Sequence, residues 1–288
     1  MPSYWFGEVE ADACIPFQGD ALALVSRIRS INPGADIPLQ QPDWELAVRC
    51  GACSGRTDYI AKLHNACIIL AEQEVQNQYS GKDVELLQMV RTLDEMDTVI
   101  NLLSERVAEW YQTRYPAFSR KYRRTSAQTL IRTINQKSRG ALGKVAGEVE
   151  ALSSTRLALA KEVSARANEV MPNTSALIGG LVAARLMAQA GGLAPLARLP
   201  ASAIQVIGAR TALFAHIRTN TPPPKHGIIF QHRRVHNAPK AVRGKVARVL
   251  AGKLAIAARI DLYRGVAVSE FLESAQTRID GAGKRGEP

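Results

Sequence analysis

The longest regular hydrophobic pattern in the chain lies between Asp83 and about Arg114, where apolar residues recur at intervals of three, four and seven. This spacing predicts a long helix with a coiled-coil-like seam. Pro116 ends the helix, because proline breaks the backbone hydrogen-bond ladder. The seam consists of Leu86, Val90, Leu93, Ile100, Leu103, Val107 and Trp110.

A second long helix is predicted from about Val145 to Val170, and it carries its own apolar positions. Two long helices joined by a connector predict an antiparallel helical hairpin. Periodicity alone fits pairing of the seam within the chain, pairing with a second copy, or an ordinary helical core. The connector, residues 115–147, contains eight bases and no acid. It is either the tip of the hairpin or a partly ordered segment.

The N-terminal region mixes a strand-like start, Tyr4–Val9, with an amphipathic helix, Asp20–Ile31, that an Asn-Pro-Gly turn stops. A further helix is predicted over Trp44–Gln78, with a break at Gly51 or Gly55 if one occurs. These features indicate a small α/β piece that is too short for a large core of its own.

A new unit starts at Met171-Pro-Asn-Thr, because Pro172 cannot continue a helix and Thr174 is a good N-cap residue. A proline-rich loop, 222–224, precedes a short strand-like run, Gly227–Phe230. The helices predicted in this region are Ser175–Ala190, Leu193–Leu199, Ala201–Val206, Ala209–Thr219 and Arg243–Leu262.

The predicted fold class is therefore mainly α. We expect a short N-terminal α/β domain at 1–58, a helical and coiled-coil domain at 59–170, and an all-α domain at 171–265. Residues 266–288 are expected to form the end of a C-terminal helix and a flexible tail. A chain of 288 residues is long enough to bury a substantial core.

Charge separates the two halves of the chain. Residues 171–260 contain thirteen Lys and Arg and no Asp or Glu. Residues 171–288 carry 17 bases and 5 acids, whereas residues 1–170 carry 20 bases and 21 acids. A surface of one sign repels itself unless an anionic partner lies against it. Nucleic acid is the simplest such partner.

An acidic membrane surface could use the same charge, but no stretch approaches eighteen consecutive apolar residues, so no spanning helix is expected. The first ten residues lack the pattern of a signal peptide. These observations predict an intracellular, reducing compartment.

Four cysteines are present, and in an intracellular chain this number argues against a disulfide scaffold. Cys50-Gly-Ala-Cys53, followed by His64 and Cys67, has a spacing similar to that of a small zinc knuckle. His64 and Cys67 lie in a pattern that predicts a helix, where a knuckle needs a tight loop. No metal site is therefore predicted.

Many short blocks occur in a characteristic order along the chain. Before residue 171 these are Leu93-Asp-Glu-Met-Asp and Glu109-Trp-Tyr. After it come Met171-Pro-Asn-Thr-Ser-Ala-Leu-Ile-Gly-Gly-Leu, Leu199-Pro-Ala-Ser-Ala-Ile-Gln-Val-Ile-Gly-Ala, Pro224-Lys-His-Gly-Ile-Ile-Phe and Val242-Arg-Gly-Lys-Val-Ala-Arg. Together they resemble the Nop domain and the coiled coil that precedes it, over about residues 60–115 and 165–265.

The layout is most similar to that of the archaeal box C/D guide-RNA scaffold proteins. The resemblance implies an N-terminal domain that holds the methyltransferase fibrillarin and a coiled coil that forms a homodimer. It also implies a Nop domain that binds kink-turn RNA together with a small kink-turn-binding protein. Such an assembly directs 2′-O-methylation of RNA, in the cytoplasm of an archaeon or in the nucleolus of a eukaryote.

Two departures from the family pattern are visible. Few family residues occur before Tyr59, and the chain reads Gly208-Ala-Arg-Thr where archaeal members read Gly-Ala-Glu-Lys. The contact made by the acidic and basic pair of the family is therefore altered here, with Arg210 in its place.

Phosphate contacts need Lys or Arg, and His232 aligns by resemblance with an RNA-contacting position of the family. Phe214 and Phe230 are aromatic residues that could stack on bases, but core positions are the expectation for both. The candidate RNA-binding residues are Arg210, Lys225, His226, His232, Arg233, Arg234, Lys240, Arg243, Lys245 and Arg248.

Catalysis has no support in the sequence. No Gly-x-Gly-x-x-Gly follows a strand, no Gly-Lys is followed by Ser or Thr, and no HExxH motif occurs. The prediction is a non-enzymatic scaffold without a cofactor. The alternatives are a spliceosome-type Nop scaffold and, as a different class, an RNA-modifying enzyme that acts unaided.

Overall fold

The structure is a computed structural model that describes residues 3–10, 13–31, 43–116, 126–219 and 221–283. The chain divides into two compact units, Met1–Gly81 and Lys82–Pro288. Throughout the described ranges, no helix combines the length and the apolar character that crossing a membrane requires.

The first unit begins with a three-stranded antiparallel sheet of strands β1 (Ser3–Tyr4), β2 (Gly7–Glu10) and β3 (Ala13–Pro16), paired in that order. The single strand predicted over Tyr4–Val9 is thus divided by a turn. The close pairing of β2 with β3 requires a glycine, because a Cβ on Gly7 would lie 2.4 Å from the carbonyl oxygen of Ile15.

Three helices complete this unit: α1 (Ala21–Ser30), α2 (Trp44–Arg49) and α3 (Arg56–Tyr79). An aspartate caps each of the first two, since Asp20 accepts the N–H of Ala23 at 2.8 Å and Asp43 accepts that of Leu46 at 3.0 Å. The expected break in the Trp44–Gln78 helix is confirmed. The helix α3, which was assigned to the coiled-coil domain, lies in the first unit.

The core of the first unit contains a disulfide that was not expected. Cys14 of β3 is bonded to Cys50 at the end of α2, beside the buried side chains of Cys53 and Tyr59. The prediction against disulfides was therefore wrong, because Cys14 and Cys50 are separated by 36 residues and only the fold brings them together. Cys67 is exposed on α3, and the predicted helix through it is confirmed.

The second unit opens with the predicted hairpin. Helix α4 (Lys82–Arg114) packs against α6 (Ala141–Val170), and α5 (Ala127–Lys137) packs on both. The pairing is antiparallel, since one end of α4 shares a core cluster with the far end of α6. Residues 117–125 of the predicted basic connector lie outside the described residues.

The hydrophobic seam of α4 is used inside the chain. Leu86, Val90, Leu93 and Val107 are at most 2% exposed, packed against α6 and its neighbours. Ile100 and Leu103 are partly buried in the second of these clusters, while Trp110 is 38% exposed. Of the arrangements that periodicity allowed, the structure shows pairing within one chain.

The rest of the second unit is helical, and its central helix contributes much of the core. The elements are α7 (Pro172–Ile178), α8 (Gly180–Ala190), α9 (Leu193–Arg198), α10 (Ala201–Val206), α11 (Arg210–Thr219), a 3-10 turn (Ile228–Gln231), α12 (Arg233–His236), α13 (Arg243–Tyr263) and α14 (Ser269–Gly283). One side of α13 is buried along its length, and it packs against α7, α9, α10 and α14. The mainly α fold class is confirmed.

The start of α7 differs from the prediction. The helix begins at Pro172, and Thr174 is a buried residue inside it rather than its N-cap. The free N–H groups of Asn173 and Thr174 are instead accepted by the buried carboxylate of Asp261, at 2.9 Å each. Asn173 also donates to Asp261 and to the carbonyl of Val266. A residue distant in sequence therefore caps this helix.

Two further predictions were wrong in detail. The helix predicted over Ser175–Ala190 breaks at Gly179, which has a φ of 84°. The following Gly180 lies so close to α6 that a Cβ would be 2.3 Å from the carbonyl oxygen of Ser164. The strand-like run Gly227–Phe230 forms a 3-10 turn that buries Ile229, because a short apolar run does not distinguish a strand from a buried turn.

Candidate RNA-binding surface

The loop that carries Lys225 and His226 is fixed to the end of α10. Gln205 Nε2 donates to the carbonyl of Lys225 at 2.8 Å, and the N–H of Gly227 donates to the carbonyl of Gln205 at 2.8 Å. The N–H of Ile228 donates to the carbonyl of Ile207 at 2.9 Å. The loop therefore presents its two basic side chains from a defined backbone.

An aromatic cluster joins this loop to the start of α13. The ring of His226 stacks on Phe230 with centroids 4.4 Å apart and planes 13° apart. The ring centroid of His236 lies 4.9 Å from that of Phe230, and the Arg243 guanidinium lies 5.3 Å from the Phe230 centroid. The side chain of Lys225 lies 3.9 Å from the Cβ position of Gly244. The two halves of the predicted basic cluster thus converge on one place.

Arg243 itself acts within the fold. Its guanidinium donates to the carbonyl of Ala238 at 3.0 Å and to that of His236 at 3.1 Å. It therefore holds the loop between α12 and α13, as a positioning residue. The first turn of α13 has no side-chain cap and no acid, and Lys245 and Arg248 are exposed beside it. Such a helix start favours an anion.

His232 faces a cleft between the 3-10 turn and α7. The cleft has a volume of about 390 Å³, and its lining includes Ser175, Arg233 and Gln276. Within the described part of the chain, the buried His232 Nδ1 has no hydrogen-bond partner. Burial lowers the pKa of His232, and the positive charges of Arg234 and Arg233 lower it further. The imidazole is therefore neutral at pH 7.

The pKa of His226 is lowered in the same direction, first by burial and then by the neighbouring charge of Arg243. Two neutral imidazoles therefore lie among the cations of this surface. A phosphate placed beside either of them would favour its protonated form.

Arg234 lines the same cleft as His232 and Arg233, but its guanidinium is engaged within the fold. Its guanidinium donates to Gln276 at 2.8 Å and forms an ion pair with Asp280 of α14 at 3.0 Å. Because these contacts hold its guanidinium, Arg234 is not counted among the cations available to RNA, although it was predicted as a candidate RNA-binding residue.

The remaining candidates are exposed, and none has an ion pair among the described residues. Arg210 is brought close to the loop by Gly208, whose Cβ would lie 2.6 Å from the Ile228 side chain. We define the basic surface as Arg210, Lys225, Arg233, Lys240, Lys245 and Arg248.

Helix α11, which begins at Arg210, contains no buried residue. Phe214 is 56% exposed and Ile217 is 68% exposed. The core position predicted for Phe214 was therefore wrong. For Phe230 it is confirmed, because this ring is partly buried against the main core. An exposed helix with both apolar and basic side chains is suited to a partner surface of mixed character.

An ion-pair network that the sequence analysis missed connects this region to the hairpin. Arg185 of α8 donates to Asp94 at 3.0 Å, and it donates to Asp97 and to Gln231 at 3.2 Å each. Asp97 also accepts two hydrogen bonds from Arg156 of α6, at 2.7 and 2.9 Å. The Arg156 hydrogen bonds lower the pKa of Asp97. His236 was also missed, because only the fold brings its ring to Phe230.

Comparison with known proteins agrees with this geometry. The sequence model of the Nop family, described as a snoRNA binding domain associated with fibrillarin, matches residues 119–281. The chain belongs to the Nop family. An uncharacterized NOP5 family protein of Methanocaldococcus jannaschii is 32% identical over 82% of this chain and 66% of its own length. Nucleolar protein 56 of Caenorhabditis elegans is 30% identical over 69% of this chain and 50% of its own length.

Nucleolar protein 58 of Candida glabrata is also 30% identical, over 72% of this chain and 49% of its own length. This Nop-family chain thus spans about half the length of the nucleolar relatives and 66% of the archaeal one. A solved structure of a fibrillarin/Nop5p complex contains a similar chain, with a TM-score of 0.53 and 28% identity. The match covers 97% of this chain and 98% of that one.

Proposed function

We propose that this protein is a non-catalytic scaffold of a box C/D guide-RNA ribonucleoprotein. It binds kink-turn RNA together with a kink-turn-binding protein, and it positions fibrillarin for 2′-O-methylation of RNA. The observation that carries this proposal is that the Lys225–His226 loop and the start of α13 meet at Phe230, in a domain whose family is described by snoRNA binding. Its location is the cytoplasm of an archaeon or the nucleolus of a eukaryote.

The individual roles follow from the geometry. Lys225, Arg233 and Lys245 are exposed cations that would neutralise phosphates. His232 lines the cleft beside Arg233, and its buried Nδ1 has no hydrogen-bond partner among the described residues, so a small shift of the ring on binding would let RNA satisfy it. The apolar side chains on α11, Phe214 and Ile217, would contact the kink-turn-binding protein at the edge of the RNA.

The partner proteins are proposed on other grounds. Fibrillarin is supported by the family description and by the similarity to a chain of the fibrillarin/Nop5p complex. Most of the α4 seam is covered within the chain, so the predicted homodimer cannot rest on the seam alone. The apolar residues suited to it are Trp110, the seam residue that stays exposed, together with Val99, Leu102 and Leu157 on the hairpin. A monomer mass by light scattering at micromolar concentration would contradict the homodimer.

The test uses the full chain and a preassembled complex of kink-turn RNA with its binding protein. We expect binding that weakens steeply with salt, and an Arg233→Ala/Lys245→Ala variant whose log–log salt slope is smaller by about 2, since each lost phosphate contact removes about 1. Lys161→Ala is the control, because Lys161 is an exposed cation of the hairpin. If the wild-type chain fails to join the complex at low salt, the proposal is wrong.

The enzymatic alternative has a separate test. The chain is incubated alone with a labelled methyl donor and target RNA. A scaffold transfers no label, whereas an RNA methyltransferase that acts unaided would do so.

A further inference from the structure

A second concentration of positive charge lies at the junction of α5 and α6. Lys137 ends α5, Arg139 lies in the connecting turn and Lys144 lies in the first turn of α6. All three side chains are exposed, and none forms an ion pair within the described ranges. We call these three residues the tip surface.

The sign of the charge changes sharply away from the tip surface. Residues 126–147 contain no acid, and the basic residues 120–124 precede them in the sequence. Farther along the hairpin, several cations are paired with acids: Arg156 with Asp97 at 2.7 Å, and Arg166 with Glu85 at 2.8 Å. The unpaired cations there are scattered, whereas three unpaired cations lie together at the tip surface, where the exposed Glu148, one turn beyond Lys144, is the next acid in the sequence.

The fold holds the tip surface in a fixed position. The apolar side of α5, with Ile131 and Ile134, is buried against α6 and α4. Arg132 and Asn135 of α5 both donate to the Glu150 carboxylate of α6, at 3.0 Å each. The Glu150 carboxylate is therefore bound on the inner side of α5. These contacts fix the junction that carries the three cations.

The outer side of α5 favours nucleic acid over a membrane. The exposed residues there include Gln128, Thr129 and Gln136, which carry hydrogen-bonding groups, and no large apolar side chain. A membrane-binding helix needs an exposed apolar face. Amide and hydroxyl side chains beside Lys and Arg are the usual partners of phosphate and sugar oxygens. The first turn of α6 has no side-chain cap and no acid, which adds to the positive potential.

The tip surface lies apart from the basic surface of the C-terminal region. That region meets α6 at Arg156, through Asp97 and Arg185, and Arg185 also donates to Gln231 beside His232. Twelve residues of α6, or about 18 Å of helix, separate Arg156 from Lys144. We propose that the tip surface is a second RNA-binding site, which takes the phosphates of an RNA helix outside the kink-turn. This inference rests on the proposed function for the identity of the RNA, and on the tip geometry for the site.

The experiment measures the affinity of the full chain for three RNAs by fluorescence anisotropy. The first is a minimal kink-turn with its binding protein, the second is the same kink-turn extended by a duplex arm, and the third is the arm alone. The test variant is Lys137→Ala/Arg139→Ala/Lys144→Ala. The control variant is Lys82→Ala/Arg91→Ala/Lys161→Ala, which removes three exposed cations from the other parts of the hairpin.

We expect the test variant to bind the extended RNA and the isolated arm about tenfold more weakly than wild type, with a salt slope smaller by about 2–3. Its affinity for the minimal kink-turn should stay at the wild-type value, which also shows that the variant is folded. The control variant should bind the isolated arm like wild type.

Equal binding of the isolated arm by wild type and test variant overturns the inference, and an acidic protein then becomes the better partner for the tip surface. The same weakening in the control variant also overturns it, because the effect would then reflect net charge. Failure of wild type on the minimal kink-turn alone, with tip-dependent binding of the arm, would refute the proposed function and leave the second site supported.

Discussion

The loop at the centre of the basic surface depends on the absence of a side chain at position 227. A Cβ on Gly227 would lie 1.9 Å from the carbonyl oxygen of Ile207 and 2.7 Å from its carbonyl carbon. The φ of Gly227 is −115°, so the obstacle to alanine is steric contact with backbone rather than a left-handed conformation. Gly227→Ala must therefore move the loop away from α10 by about 1 Å or more, because close contacts of this kind are strongly repulsive.

This movement breaks the hydrogen bonds that the N–H groups of Gly227 and Ile228 donate at 2.8 and 2.9 Å. At about 1 kcal/mol for each bond, the expected loss in the free energy of unfolding is about 2 kcal/mol. It also shifts Lys225 and His226 from their places beside Gly244 and Phe230. We therefore expect weaker RNA binding in a protein that is still folded.

The assay combines urea unfolding, followed by the helical circular dichroism signal, with RNA affinity for the preassembled kink-turn complex. Gly252→Ala is the matched control, since no atom lies within 4 Å of its Cβ position on α13. This control should gain about 0.5–1 kcal/mol, because alanine is the better residue inside a helix. If Gly227→Ala keeps both the stability and the RNA affinity of wild type, the account of this loop is wrong.

Three further predictions concern single side chains. Asp261→Ala should lower the free energy of unfolding by about 3–5 kcal/mol in urea titrations, because it leaves buried N–H groups of Asn173 without an acceptor. Because its pKa is lowered, His232 is neutral in the free protein, and an RNA phosphate beside it would favour the protonated form, so RNA affinity should rise as the pH falls toward that lowered pKa in wild type and less in His232→Asn. The lowered pKa of Asp97 stabilises the fold above its unfolded pKa of about 3.9, and this contribution is lost as the pH falls through the folded value. Asp97→Asn should therefore destabilise the protein at pH 6, and the difference from wild type in urea midpoints should shrink near pH 3.

The helices were predictable because their determinants are local. Apolar residues at helical spacing gave α4 and most of α6, and glycine or proline punctuation gave the ends of α2, α3, α9 and α10. The excess of cations in residues 171–260 was visible for a similar reason, because counting charges along a segment requires no knowledge of the fold. The convergence of His226 and Arg243 on Phe230 was not predictable, because stacking between these residues depends on the path of the intervening chain.

The errors share a cause in contacts between residues far apart in sequence. Thr174 is a good N-cap residue by type, but Asp261 fills that role from 87 residues away. Arg234 was grouped with the phosphate-binding cations because its acid, Asp280, is 46 residues away. Periodicity located the α4 seam without revealing what covers it. Phe214 was assigned to the core from its residue type, although α11 has no neighbour that buries it.

Because these partners lie elsewhere in the chain, the acid-free segment 171–260 has fewer unpaired cations than its sequence indicates. Arg185 and Arg234 are paired, but their acids lie in α4 and α14, outside the segment. Arg243 and Arg259 donate to backbone carbonyls. The fold thus neutralises its structural arginines locally, or binds them to backbone, without placing any carboxylate within the segment that forms the surface.

The number of cations available to RNA is accordingly smaller than the sequence count. The segment contains thirteen Lys and Arg, which would give a salt slope of about 12 if each neutralised one phosphate. Four of the thirteen are paired or bound to backbone, and of the nine that remain the six of the basic surface give a slope of about 5. The positive charge of this domain therefore serves two purposes. Some cations build the framework that supports the loop, α11 and α13, and only the exposed remainder is free to hold RNA.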